Sequence, residues 1–504
     1  MTNPLYDALF APQAGQDRPF MTLPGGDQLS AADFHDMLAR FANALRALGV
    51  GPGERVAVQA SKSPQMLAVY GAAVATGAVF LPLNSAYTPD ELEYFITDCG
   101  AKLLLVDPAH GAALAPLADK LGVRLESLGS GGSFDALADS LPTRFTPEPR
   151  SDDDLTALLY TSGTTGRSKG AMLSQRNLLS NAKALTDLWR FTSDDVLLHA
   201  LPIFHTHGLF VASNVVLLSR AQMIFLPKFD LDQVFAFLPK ATTMMGVPTF
   251  YTRLLGDARL GRDTVGHMRL FVSGSAPLLA ETHLAWSERT GHAILERYGM
   301  TETNMLTSNP YDGARRPGTV GPPLQGVSLR IADPETGAEL PQGETGMIEV
   351  CGPNVFQGYW QMPEKTAAEF REDGYFITGD LGMIDDQGYV NLVGRAKDLI
   401  ITGGYNVYPK EVELVLDDMP GVLESAVIGL PHPDFGEAVV AVLVPDKGTP
   451  DLGAIDAGMS DKLAGFKQPK AYIVLPELPR NTMGKVQKAA LRNDYAAYFK
   501  ETAQ

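Results

Sequence analysis

From Asp36 to Val50 the apolar residues Leu38, Phe41, Leu45 and Leu48 recur at helical spacing, and Gly49 supplies a stop. Arg55 to Gln59 then reads as a strand, Pro64 to Thr76 as a helix and Val79 to Leu83 as a strand. A helix at Asp90 to Asp98 and a strand at Leu103 to Val106 continue the alternation. Repeated strand and helix units predict an α/β protein with mostly parallel sheets. The apolar segment Met66 to Leu83 approaches the length of a membrane span, but Gly71, Gly77 and Pro82 interrupt it. The expectation is a buried helix ending at Gly77, followed by a buried strand. Gly129 to Ser133 and the polar segment Thr143 to Asp154 read as surface connections.

With 504 residues and 45% hydrophobic content, the chain can bury large cores and should divide into at least two domains. Lys plus Arg number 41 against 58 for Asp plus Glu, a formal charge of −17. That balance disfavours nucleic acid or an anionic membrane as partner, so an anionic ligand needs local basic groups. Cys99 and Cys351, far apart, make neither a disulfide framework nor a zinc cluster and read as small core residues of a cytoplasmic protein. Met1 to Pro12 has no cationic region before an apolar stretch, so neither a secretory signal nor an Arg-rich transit peptide is expected there.

The apolar run Leu155 to Tyr160 leads into Thr161-Ser162-Gly163-Thr164-Thr165-Gly166-Arg167-Ser168-Lys169-Gly170, and a helix is expected from Gln175 to Leu188. Glycines let backbone N–H groups turn toward phosphate oxygens, hydroxyls donate, and Lys169 or Arg167 neutralises charge. The spacing is not that of the Walker loop. Downstream, Phe204-His205-Thr206-His207-Gly208-Leu209 brings two histidines close together without a third evident metal ligand, so a core turn with satisfied histidines competes with metal binding. In Leu270-Phe271-Val272-Ser273-Gly274-Ser275-Ala276-Pro277 a strand runs into small residues, where backbone can approach a flat ring.

The Thr161 to Gly170 stretch resembles the phosphate signature of the adenylate-forming superfamily, which includes acyl-CoA synthetases, firefly-type luciferases and peptide-synthetase adenylation domains. Glu296-Arg297-Tyr298-Gly299-Met300-Thr301-Glu302, Tyr375 to Asp380, Leu392 to Asp398, Thr402 to Pro409 and Pro479 to Lys485 resemble further segments in the same order. The resemblance implies a large N-terminal domain of several subdomains (1–394) and a smaller, mobile α+β C-terminal domain (395–504). It also implies a two-step reaction: a carboxylate attacks the α-phosphate of ATP, and coenzyme A then displaces AMP. By resemblance, Thr161, Ser162, Gly163, Thr164, Thr165, Gly166 and Lys169 hold phosphates, while Gly274, Ser275, Ala276, Tyr298 and Gly299 border the adenine. Thr301 binds a phosphate oxygen and Glu302 is the Mg²⁺ ligand. Asp380, expected just after a strand, and Arg395 take the ribose and phosphate, and Lys397 lies at the hinge. Gly403 and Gly404 line the pantetheine channel. Lys485, in Pro-x4-Gly-Lys, is the catalytic lysine, preferred over Lys488. Related lysines are acetylation targets, so a protein lysine acetyltransferase is an expected partner at Lys485.

Arg297 directly precedes the Tyr-Gly pair, where many relatives carry a small or uncharged residue. Beside an acyl pocket, a guanidinium is costly against an alkyl tail but can grip a second carboxylate through two parallel bonds. Together with the His205 and His207 segment, this resembles the malonyl-CoA synthetases. That resemblance implies a small dicarboxylate substrate bound by Arg297, Ser275 and Arg253, with His207 bordering the pocket. A structural ion pair between Arg297 and Glu296 or another acid is the alternative for that residue. For the whole chain, the alternatives are a ligase for another short or aryl acid, a carrier-protein loader, and a silent nucleotide-binding scaffold.

Overall fold

Helix Pro64–Thr76 shows how closely local chemistry fixes the first elements. Ser63 accepts from the Met66 N–H at its start, Pro64 occupies the first turn, and Gly77 ends it at φ +70°. From Met66 on, every residue of the helix is buried, as is the whole strand Val79–Pro82 that follows. The computed structural model describes residues 2–161, 168–402, 405–432, 434–481 and 484–501. It divides the chain into one unit of residues 1–328 and 351–376 and a smaller one of 329–350 and 377–504.

The larger unit carries two mostly parallel sheets. One is ordered Arg124–Ser127, Leu103–Val106, Arg55–Gln59, Val79–Pro82, Leu155–Thr161 and Lys169–Ser174, with only the last pair antiparallel. The other has eight strands, and at its centre Val196–His199, Thr243–Gly246, Leu270–Ser273 and Leu295–Met300 run parallel side by side. Its core packs Leu198, Ile224, Tyr251, Phe271 and Trp286, all essentially excluded from solvent. The carboxyl ends of these four strands open toward 200–207, 274–276 and 298–302, the side on which open α/β sheets place ligands.

In the smaller unit, Ser328–Ala332, Gly346–Cys351, Phe376–Ile384 and Val390–Arg395 form a four-stranded sheet. A five-stranded sheet centres on the long hairpin Val422–His432 and Gly436–Pro445. Helix Pro409–Asp417 contributes Val412 and Leu416 to the core against that sheet.

Two expectations change. The phosphate stretch leads not into a helix but into strand Lys169–Ser174, which turns back against Leu155–Thr161 and pairs Lys169 with Thr161. Helix Gln175–Leu188 begins only after it, so Lys169 is presented by a hairpin rather than by a helix N-terminus. Asp380 lies within the nine-residue strand Phe376–Ile384, not after it. Gly379 takes φ +73° there and the register shifts between Leu381 and Gly382, so the chain bends without ending the strand. Among the described residues no helix is long and apolar enough to cross a membrane. Cys99 is a free thiol in the core, and burial pushes its pKa up to about 12.

Candidate active site

Alternation along strand Leu295–Met300 sends neighbouring side chains to opposite faces. Glu296 meets His283 at 3.3 Å, and burial raises its carboxyl pKa despite that partner. Arg297 faces the other way and is 3% exposed. Its Nε and Nη2 have no hydrogen-bond partner among the described residues, so the alternative of a structural pair with Glu296 is not what the structure holds. Burial pushes its pKa down to about 9, only partly opposed by the Tyr251 phenol.

The guanidinium rests on Gly274, where an added Cβ would stand 2.5 Å from Cζ and Nη1. Ser275 follows at φ +73°, a conformation costing a non-glycine residue roughly 1–3 kcal/mol, which points its Oγ to His207 Nδ1 at 3.2 Å. His207 is buried, and its Nε2, like Thr206 Oγ1 and Ser273 Oγ, has no partner among the described residues. Burial, then the Arg297 charge and the nearby His205 and His199, hold its pKa well below the usual value, so the imidazole is neutral. The structure thus gathers a buried cation, a neutral imidazole and a hydroxyl on a strained backbone near the carboxyl ends of the central strands. Arg253 lies outside this set: it is exposed, 5.0 Å over the Phe229 ring, which stacks on Phe250 at 4.0 Å.

The cluster expected to face the phosphates is built from residues distant in sequence. Thr161 Oγ1 donates to Glu302 Oε1 at 3.3 Å. The Tyr359 hydroxyl lies 3.1 Å from the same oxygen and donates to Glu369 Oε2 at 2.6 Å. Lys169 Nζ donates to Glu369 Oε1 at 3.0 Å and sits 4.1 Å above the Tyr359 ring. Burial alone would raise the Glu369 pKa, but bonds from Lys365, Tyr359 and Lys169 outweigh it and hold the carboxyl below its usual range. Tyr359, Glu369 and Lys365 were not singled out by sequence, and no spacing links them to Glu302 or Lys169. Ser162, Gly163, Thr164, Thr165 and Gly166 lie outside the described residues.

Tyr298 is buried at a bulge, where a Cβ on Gly299 would meet the Asn304 carbonyl at 1.9 Å. Thr301 and Ala276 are half-buried beside it in sequence or on the neighbouring strand end. Among the described residues no cluster of three or more His, Cys, Asp or Glu side chains could hold a metal. A hydroxyl-supported carboxylate such as Glu302 suits Mg²⁺, which takes few protein oxygens and completes its shell with water and phosphate.

In the smaller unit, Arg395 Nε lies 2.6 Å from Asp380 Oδ1 across the strand pair. Lys397 is exposed in the short turn Ala396–Asp398, whose Asp398 accepts from Arg492 at 2.8 Å. Gly403 and Gly404 lie outside the described residues. Lys485 is exposed beside Gly484, at φ +75°, on a turn closed by Asn481: the Lys485 N–H donates to Asn481 Oδ1 at 3.0 Å. Lys488 is committed elsewhere, 2.5 Å from the buried carboxylate of Glu413.

The chain matches the family model described as AMP-binding enzyme over residues 10–360, and that of the AMP-binding enzyme C-terminal domain over 411–485. The crystal structure of ATP-bound MatB from Rhodopseudomonas palustris is 58% identical with a TM-score of 0.97, covering 99% of this chain and 100% of that one. A feruloyl-CoA synthase of Amycolatopsis sp is 37% identical over 94% of this chain and 95% of its own length. A malonate–CoA ligase of Arabidopsis thaliana is 35% identical over 87% of this chain and 78% of its own. The first family model alone spans more than half of the sequence, and the protein belongs to the AMP-binding enzyme family.

Proposed function

We propose that the protein is an ATP-dependent malonate–CoA ligase that also accepts methylmalonate. One malonate carboxylate attacks the α-phosphate of ATP, pyrophosphate leaves, and the thiol of coenzyme A then attacks the acyl carbon and expels AMP. The observation that carries this reading is Arg297, a buried guanidinium without a carboxylate partner among the described residues. An unpaired buried charge is expensive, and the distal carboxylate of a small diacid offsets that cost with two parallel bonds. Ser275 and neutral His207 supply further hydrogen bonds to it. Similarity to a malonate–CoA ligase supports the same choice.

Lys169 and the stretch from Thr161 to Gly166 hold the phosphates in this account, Thr301 adds a hydroxyl, and Tyr298 packs on adenine against Gly274, Ser275, Ala276 and Gly299. Asp380 and Arg395 take the ribose. Mg²⁺ held by Glu302 offsets charge on the phosphate oxygens when bound. Lys485 stabilises the charge that builds during adenylation, and its part, residues 395–504, turns about Lys397 relative to 1–394 for thioester formation past Gly403 and Gly404. Acetylation of Lys485 by a protein lysine acetyltransferase would remove that charge and stop the first step. We place the reaction in the cytoplasm.

A second reading, a ligase for an aryl acid, is favoured by the feruloyl-CoA synthase similarity. It leaves the Arg297 charge unanswered. AMP and thioester formation across malonate, methylmalonate, succinate, acetate, butyrate and 4-coumarate separates the two, and the malonate account requires malonate to lead.

A further inference from the structure

Behind His207 the larger unit holds the amine of a half-buried lysine, Lys62. Lys62 follows strand Arg55–Gln59, and its Nζ lies 2.9 Å from His199 Nδ1, 2.8 Å from the His199 carbonyl oxygen and 4.3 Å above the Phe225 ring. The ion pairs of the described residues include none with Lys62, and burial pushes its pKa well below the ordinary lysine value. A side chain that served packing alone would not need an amine here, since burying one without an acid is unfavourable.

The partner of that amine fixes a proton. His199, fully buried at the end of strand Val196–His199, has Nε2 2.9 Å from the Gly208 carbonyl oxygen. A carbonyl only accepts, so Nε2 carries the hydrogen and Nδ1 the lone pair, which leaves Lys62 as donor. The Ser213 hydroxyl donates to the same Gly208 oxygen at 2.9 Å. Two side chains thus hold a carbonyl inside the π-helical turn His207–Ser213, a wide turn of the kind often found at functional sites. The other side of the turn is equally constrained, because a Cβ on Gly208 would stand 2.0 Å from the Pro202 carbonyl oxygen. The first residue of this turn is His207, whose Nδ1 meets Ser275.

We propose that Lys62 is a positioning residue for the acid substrate, acting through His199 and the Gly208 carbonyl to set the turn that presents His207. It rests on the reading of His207, Ser275 and Arg297 as the acid site. The amine holds Nδ1 of His199, the imidazole holds the Gly208 oxygen, and the turn then places His207 against Ser275. Removing either link loosens His207 in the wall of the acid pocket while leaving Thr161, Lys169, Tyr298 and Glu302, assigned to ATP on other elements, in place.

The test is steady-state kinetics of Lys62→Met, nearly equal in length and unable to donate, with the best acid found in the substrate panel. The expected result is a KM for the acid raised at least ~10-fold, with KM for MgATP and for coenzyme A unchanged within about 2-fold and no lower melting temperature. His199→Gln keeps an N–H for Gly208 and an acceptor for Lys62, and is expected to retain the acid KM within ~3-fold, whereas His199→Phe repeats the Lys62→Met defect. An acid KM that stays within about 2-fold in Lys62→Met and His199→Phe overturns the proposal, as does a parallel rise for acid and MgATP with lowered stability. Because the acid is chosen by the panel, a monocarboxylate preference would refute the malonate reading while the KM split still reports on Lys62.

Discussion

The guanidinium of Arg297 lies flush against Gly274, so closely that a single added methyl at that glycine would stand 2.5 Å from Cζ. Gly274 therefore sets the depth at which the Arg297 charge sits. In Gly274→Ala the backbone needs no unusual torsion, so the strain falls on the arginine side chain. We expect a folded protein whose kcat/KM for malonate falls ~10-fold or more relative to that for butyrate, a ratio in which any effect on MgATP cancels. Unchanged malonate kinetics would show that the contact is incidental.

The Arg297 charge also dictates a pH limb. With its pKa pushed down to about 9 by burial, the free enzyme loses this cation as pH rises through that value. Since kcat/KM reports the free enzyme, it should fall for malonate above about pH 9, approaching tenfold per unit, and stay flatter for butyrate. His207, neutral because its pKa lies well below the ordinary 6.5, should add no limb between about pH 6.5 and 9. The linkage to stability has a definite sign. A folded pKa below the unfolded 12.5 means that the buried charge opposes folding fully below about pH 9 and is relieved as pH rises toward 12.5. Arg297→Met should accordingly melt no lower than the parent at pH 7, whereas loss of a buried ion pair would destabilise by roughly 3–5 kcal/mol.

How much of this was legible in the sequence depends on how local the determinants are. Pro64–Thr76 and Arg55–Gln59 fall where apolar runs, a Ser cap and a terminal glycine put them. The strand Lys169–Ser174 was hidden because Lys-Gly-Ala-Met-Leu-Ser neither alternates nor favours strand; pairing with Leu155–Thr161 imposes it. Arg297 stood out by its position, but its lack of a partner among the described residues depends on Gly274, His207 and Tyr251 arriving from three other segments. Tyr359 and Glu369 carried no signal at all, since their meaning comes from Glu302 and Lys169 folding onto them.

That network makes its own prediction. Tyr359→Phe removes the hydroxyl lying between Glu302 and Glu369 and leaves two carboxylates facing each other without a shared donor. In an ATP–pyrophosphate exchange assay the variant should show KM for MgATP raised ~10-fold with acid KM nearly unchanged. A defect confined to the acid would contradict the assignment of this cluster to the phosphate side.

The two C-terminal lysines should separate cleanly. Lys485→Ala is expected to lower adenylation by roughly 10²–10³ at unchanged melting temperature, because its side chain is exposed on a turn. Lys488→Ala should instead lower the melting temperature, since the buried Glu413 carboxylate would lose its nearer cation and keep only Lys410 at 4.0 Å. The reverse pattern would move the catalytic role to Lys488.

The central claim is that Arg297 holds the second carboxylate of the acid, and the most direct measurement is the malonate-to-butyrate ratio of kcat/KM in the parent and in Arg297→Ala. The account predicts that malonate leads in the parent and that the substitution lowers the ratio at least ~100-fold, mainly by loss of malonate turnover. A ratio that survives the substitution, with malonate still preferred, would contradict it.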